Sequence, residues 1–192
     1  MVRDGLMDVV AIGSVTLDEI ARVERLPKPH FESNVKESGL FFGGRAPNVA
    51  VMCARLGLRT GIVSPVGDDF VHSGYEAHLT KLGVDMSGIL KIPGERTMRV
   101  QIFYDAVGNQ ITFLHPGAAN HFSKMDIPEL VDRTSVVHIS SSGDYRFNIR
   151  VAQRAYEEGK TVTFDCGNDP FTETTEYVSE MLRFTSIFFA ND

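Results

Sequence analysis

The chain has 192 residues, of which 43% are hydrophobic and 23% charged, and its formal net charge is -6. This length suits a single domain with its own core, and the composition excludes an intrinsically disordered chain. The acidic balance argues against nucleic-acid binding, which needs clustered Lys and Arg. No apolar run approaches the ~18 residues of a membrane span. The first residues carry acids at Asp4 and Asp8 and lack the apolar region of a signal peptide. Cys53 and Cys166 lie far apart, a pattern that fits a reducing compartment better than a disulfide framework. A soluble cytoplasmic protein is expected.

The predicted elements alternate. Residues 8–13 (DVVAIG) form a short β-branched run that reads as a buried strand. Residues 34–42 show no helical period. Residues 46–56 read as a helix, with Pro47 in the first turn and Gly57 just past the end. Its apolar residues surround most of its circumference, which predicts burial on more than one side. A strand follows at 59–67 and a helix at 70–82. In 97–114, Met98, Val100, Ile102 and Tyr104 alternate with Thr97, Arg99, Gln101 and Phe103. A turn near Gly108 and Asn109 follows, then Ile111 and Phe113 alternate again. This predicts a β-hairpin with a loop longer than the tightest turns.

The alternation resumes with strands at 135–140, 161–166 and 186–190 and helices at 145–158 and 173–183. Such an order predicts a parallel sheet with covering helices. The hairpin is expected to be a flap or a subunit contact. The last run, 186–190, reads as a central strand, so the sequence is expected to be part of something longer. His138 falls in a strand-like run near the core, and Cys53 is expected to be inert inside its helix.

Residues 43–67 carry the most information. Gly43 and Gly44 permit a close backbone approach to a ligand. The helix starting at residue 46 or 47 presents free amides and the positive end of its dipole there. The Asn48 amide both donates to and accepts from a hydroxyl. The arrangement suits a polyol or a polar, possibly anionic, small molecule, although paired glycines also serve as plain turns. Asp165 and Asn168 end a strand where open α/β sheets bind ligands, a place that equally suits loop capping. The six histidines show no metal-ligand spacing. Neither a Gly-Lys-Ser/Thr phosphate loop nor a Gly-x-Gly-x-x-Gly turn is found.

Gly43, Gly44, Ala46, Asn48, Ala50, Gly57 and Gly67 together resemble the first signature of the ribokinase-like (PfkB) carbohydrate kinases. The resemblance extends from Gly13, Ser14 and Asp18 through 66–89 (VGDDFVHSGYEAHLTKLGVDMSGI) and 116–120 (PGAAN). It reaches Asn191, which looks like the first residue of the family's Asn-x-x-Glu motif. What it implies is a ribokinase-like parallel sheet flanked by helices, occupying 1–192, with a small β lid near 17–42 and 90–115. Such enzymes use ATP and Mg2+ to phosphorylate a hydroxyl of a sugar or nucleoside. The resemblance makes Asp18, Gly43, Gly44 and Asn48 substrate ligands and Asn191 a cofactor contact, with no metal site in this chain. The lid would pair two subunits as a homodimer. Arg99, on the alternate face of its strand, is expected either to reach a substrate anion or to be a solvated strand residue.

The family's second signature, a Gly-Ala-Gly-Asp-like turn carrying the aspartate base and the amides that cradle phosphate, does not occur in this sequence. The C-terminal half is therefore expected to be absent, the catalytic base to lie beyond residue 192, and the chain to be inactive alone. The alternative is a non-catalytic regulatory protein that binds a sugar or nucleoside. Two departures leave the substrate open: Met98 follows Thr97 where the family often has Thr-Gly, and no Arg closely follows the 161–166 strand.

Overall fold

The computed structural model describes residues 6–141, 144–167 and 175–190. Every residue of β4 (Thr60–Val66) is buried, as expected of a strand covered on both faces. It pairs in parallel with β1 (Met7–Ile12) on one side and β5 (Asp85–Lys91) on the other. Beyond β1 lie β8 (Thr134–Ser140), β9 (Thr161–Asp165) and β10 (Ile187–Phe189), giving the order β10-β9-β8-β1-β4-β5. All these pairings are parallel.

Side chains that alternate along β1 divide the core. Ala11 joins Ile62 and Val66 under α1 (Arg45–Arg55), α2 (Asp69–His72) and α3 (Tyr75–Lys81). Val10 and Ile12 face the other way. There they pack with Val137, Ile139 and Phe164 under α4 (Glu129–Asp132), α5 (Tyr145–Glu157), α6 (Thr175–Leu182) and a 3-10 helix (Gly117–Lys124).

A separate four-stranded mixed sheet holds β2 (Thr16–Val23), β3 (Val35–Gly43), β6 (Met98–Tyr104) and β7 (Gln110–His115) in the order β3-β2-β6-β7. One hairpin is inserted between β1 and α1, the other between β5 and the 3-10 helix. They join through the parallel β2–β6 pair. Asp105 shapes the β6–β7 loop, its carboxylate accepting from the amides of Val107 and Asn109 and from Asn109 Nδ2.

Two expectations need correction, and one strand had no expectation at all. The 70–82 helix is two helices, because Gly74 adopts φ 85 and Ser73 Oγ turns back to donate to Phe70 O at 2.7 Å. The strand β5 was not foreseen, since an edge strand with Ser87 and Gly88 in its middle lacks a clean apolar alternation. Helix α1 is buried along one stripe only, at Ala46, Pro47 and Ala50, whereas Asn48 and Met52, four residues apart, are exposed. The final strand lies at a sheet edge among the described residues, with Ile187, Phe188 and Phe189 all exposed. An apolar run reports that it wants cover without reporting which neighbour supplies it. Residues 173 and 174, expected to open the last helix, lie outside the described residues.

Candidate functional site

On leaving β1 the chain turns at Gly13, and Val15 N donates to Ser64 Oγ at 2.9 Å. This anchors the start of β2 and sets Thr16 opposite Gly43 and Asp18 opposite Phe41. Thr16 Oγ1 donates to Asp18 Oδ1 at 2.5 Å. A Cβ on Gly43 would stand 2.0 Å from Asp18 Oδ2, so the carboxylate occupies the space a side chain would need. Gly44 meets a different constraint: φ is 105, and a Cβ would lie 2.2 Å from the Ser14 carbonyl oxygen. The first glycine seats the acid and the second lets two loops pass.

Burial pushes the Asp18 carboxyl above the usual range, and the Thr16 hydroxyl opposes this. Tyr75 OH donates to Gly43 O at 2.8 Å from a ring that is 1% exposed. Burial and then the Asp18 charge push its phenol far up, so it stays a neutral donor. One turn into α1, Asn48 N donates to Gly44 O at 3.0 Å, and the residue is exposed.

Arg45 was missed by the sequence reasoning. Its Nη2 donates to the Ser141 carbonyl just past β8, and its Nη1 is buried without a partner among the described residues. Gly167 beside it has no room for a Cβ. The available signal was a cation directly after the paired glycines, at a helix start where the dipole disfavours positive charge. Asp165 Oδ1 accepts from Gly167 N at 2.9 Å, a loop-capping contact. Asn168 and Asn191 lie outside the described residues. His138 Nδ1 lies 2.8 Å from Thr163 Oγ1 and Nε2 lies 3.1 Å from Ser140 Oγ. Burial lowers its pKa; Asp165 opposes this and Arg45 adds to it. Cys53 is half-buried, and burial raises its thiol.

Arg99 is half-exposed, as the solvated-strand alternative expects. The β2–β6 register pairs Arg99 with Leu17 and Val100 with Asp18. Because strand side chains alternate, Arg99 and Asp18 stand on opposite faces of the small sheet. Arg99 Nη2 instead pairs with Asp69 Oδ2 at 3.2 Å. Asp69 also accepts from Thr97 N at 2.7 Å, Thr97 Oγ1 accepts from Gly67 N at 3.1 Å, and Asp68 Oδ2 accepts from Gly94 N at 2.8 Å. Burial raises Asp69, but Thr97 and Arg99 outweigh it and its pKa falls below the ordinary value. The Gly67, Asp68 and Asp69 triplet thus clamps the hairpin base. A groove of about 820 Å³ beside it is lined by Leu17, Leu40, Phe41, Phe42, Asp69 and Arg99, and by neither Asp18 nor Asn48.

A parallel sheet with a mixed four-stranded sheet beside it, and an acid seated on a glycine turn where the two meet, defines an α/β domain of the ribokinase-like fold. The chain belongs to the pfkB family carbohydrate kinases, whose profile matches residues 7–192. It is 35% identical to a nucleoside kinase of Methanocaldococcus jannaschii over 183 residues, covering 95% of this chain and 59% of that protein. A nucleoside kinase of Methanothermobacter thermautotrophicus is 32% identical over 185 residues, with 96% and 60% covered. The crystal structure of the Methanocaldococcus jannaschii nucleoside kinase superposes with a TM-score of 0.86 at 34% identity, over 96% of this chain and 60% of that one. The chain therefore spans about three fifths of the length of these relatives.

Proposed function

We propose that this chain supplies the acceptor side of an ATP-dependent kinase acting on a nucleoside or related sugar. The observation that carries the reading is the Asp18 carboxylate seated over Gly43, with Thr16 holding one oxygen. An ionised carboxylate accepts from vicinal hydroxyls, and a side chain at Gly43 would displace it. Asn48 adds an amide from the first turn of α1, and the Gly43 and Gly44 backbone allows close approach. Strand register places Phe41, Val100 and Leu114 in one row with Asp18 on the same sheet face. Phe41 and Leu114 are 53% and 50% exposed. An apolar row beside a hydroxyl-binding acid suits a flat base joined to a ribose, which supports a nucleoside over a bare sugar.

ATP and Mg2+ are the expected cosubstrates of the whole enzyme, and the described residues do not by themselves form a site for them. The sequence has no Gly-Ala-Gly-Asp-like turn, and among the described residues no three His, Cys, Asp or Glu side chains converge as metal ligands. The chemistry of this chain is thus acceptor binding, orientation and exclusion of water beneath a lid. The alternative, a regulatory protein that binds a nucleoside or sugar without phosphorylating it, is separated from the kinase by the downstream reading frame. The small sheet also exposes Leu40 and Phe113, which supports pairing of two lids in a homodimer. No helix among the described residues is long and apolar enough to cross a membrane, and action in the cytoplasm is part of the proposal.

Calorimetric titration with ribose and a ribonucleoside panel tests the site. Binding by the native chain and its loss in Asp18→Asn are expected; equal binding by both proteins would refute it. Because phosphoryl transfer rests on positioning and charge stabilisation around the phosphate, the pure chain should not turn over ATP with any of these acceptors. A Gly-Ala-Gly-Asp-like turn encoded downstream would favour the kinase, and a stop codon after Asp192 the binding protein.

A further inference from the structure

We infer that Tyr75 is a positioning residue of the acceptor site, its hydroxyl fixing the glycine turn on which Asp18 is seated and its ring tying that turn to the lid. The inference rests on the acceptor reading of Asp18, and the contacts are independent of it. Tyr75 OH donates to Gly43 O at 2.8 Å, and Gly43 is the residue whose missing side chain makes room for the Asp18 carboxylate. A planar peptide turns as a unit, so a hydrogen bond to the Gly43 carbonyl fixes the orientation of the whole link from Gly43 to Gly44.

The ring is held as firmly as the hydroxyl. Phe42, at the end of β3, stacks on Tyr75 with centroids 4.6 Å apart and planes 18° apart, and Phe70 lies 5.9 Å away on another side. Gly74, at φ 85, breaks the helix immediately before Tyr75 and lies under the Phe42 ring. The break starts α3 afresh, so Tyr75 opens the new helix beneath the end of β3. Phe42 and Asp18 lie on opposite faces of the small sheet, since Phe42 pairs with Leu17 and Phe41 with Asp18. Tyr75 therefore grips the rear of the lid strand with its ring and the acceptor turn with its oxygen. A tilt of the lid is thereby transmitted to the seat of Asp18.

Tyr75→Phe separates the two grips, keeping the ring stack and removing only the hydroxyl. The first readout is the Asp18 carboxyl titration, followed by carbon NMR in the full chain without ligand. With the turn released, Asp18 gains water and its elevated pKa should move down toward the ordinary carboxylate value. The second readout is affinity for the ribonucleoside bound by the native chain, expected to weaken roughly tenfold, the usual worth of one hydrogen bond. Thermal melting is followed in parallel, because a merely structural tyrosine would lower the melting temperature and leave the Asp18 titration in place. An unchanged Asp18 titration overturns the inference, as does a shifted titration with unchanged affinity. Equal binding by Asp18→Asn and the native chain refutes the acceptor reading instead, so the two failures are distinct. If the native chain binds no ribonucleoside, the acceptor reading fails and the Asp18 titration alone decides the coupling.

Discussion

Replacing Gly43 by alanine adds one methyl group at the place where the structure has least room for it. The added carbon would stand 2.0 Å from Asp18 Oδ2, 2.5 Å from Cγ and 2.7 Å from Oδ1. An ordinary carbon–oxygen contact needs more than an ångström beyond the first of these distances. Gly43 does not have the positive φ that penalises other residues, so the backbone tolerates alanine and the strain falls on Asp18. The carboxylate must swing away and give up the Thr16 hydroxyl. Overpacking of this kind costs about 1–3 kcal/mol, and for a chain of this size each kcal/mol lowers Tm by roughly 2–4 °C. The decisive assay is a double-mutant cycle by denaturant unfolding, with Gly43→Ala made in the native chain and in Asp18→Ala. The cost of the methyl should largely vanish when the carboxylate is gone. An equal cost in both backgrounds would show that Asp18 is not what Gly43 accommodates, and the account of the site would fail with it.

Further outcomes follow from the same geometry. His138 has a pKa lowered from about 6.5 by burial first, with Arg45 adding to the effect. The unfolded chain therefore binds a proton more readily than the folded one, and stability should fall as pH drops below about 6.5 toward the lower folded value. Urea unfolding between pH 7.5 and about 5 should show this slope in the native chain and a smaller one in His138→Gln; identical slopes would refute it. Arg99→Ala should leave ribonucleoside affinity unchanged and cost less than about 1 kcal/mol, because its pairing with Asp69 is half-exposed and lies on the far face from Asp18. A clear loss of affinity in that variant would return Arg99 to the acceptor site.

The contrast between Arg99 and Asp18 shows how much the sequence could convey. Alternation along 97–104 identified a hairpin strand and assigned Arg99 to one of its faces. Which face looks toward Asp18 depends on the pairing of β6 with β2, two segments some 80 residues apart. Local periodicity has no access to that register. Arg45 was overlooked for a related reason: its partners, Ser141 and Gly167, belong to strand ends that meet it only after the sheet has formed.

The chain's own residues determined the alternating α/β order, the hairpin, and the glycine pair with its signature spacing. Each of these is written in neighbours a few positions apart, through hydrophobic period, helix-end chemistry and backbone freedom. Tertiary structure alone decided that Gly43 is bare to seat Asp18, that the helix breaks at Gly74 to bring Tyr75 beneath the end of β3, and that Asp69 ties down Arg99. Those assignments depend on atoms brought together across sheets. Short-range pattern records that a strand or a turn is present, whereas the space beside a given atom is set by whatever distant segment packs against it.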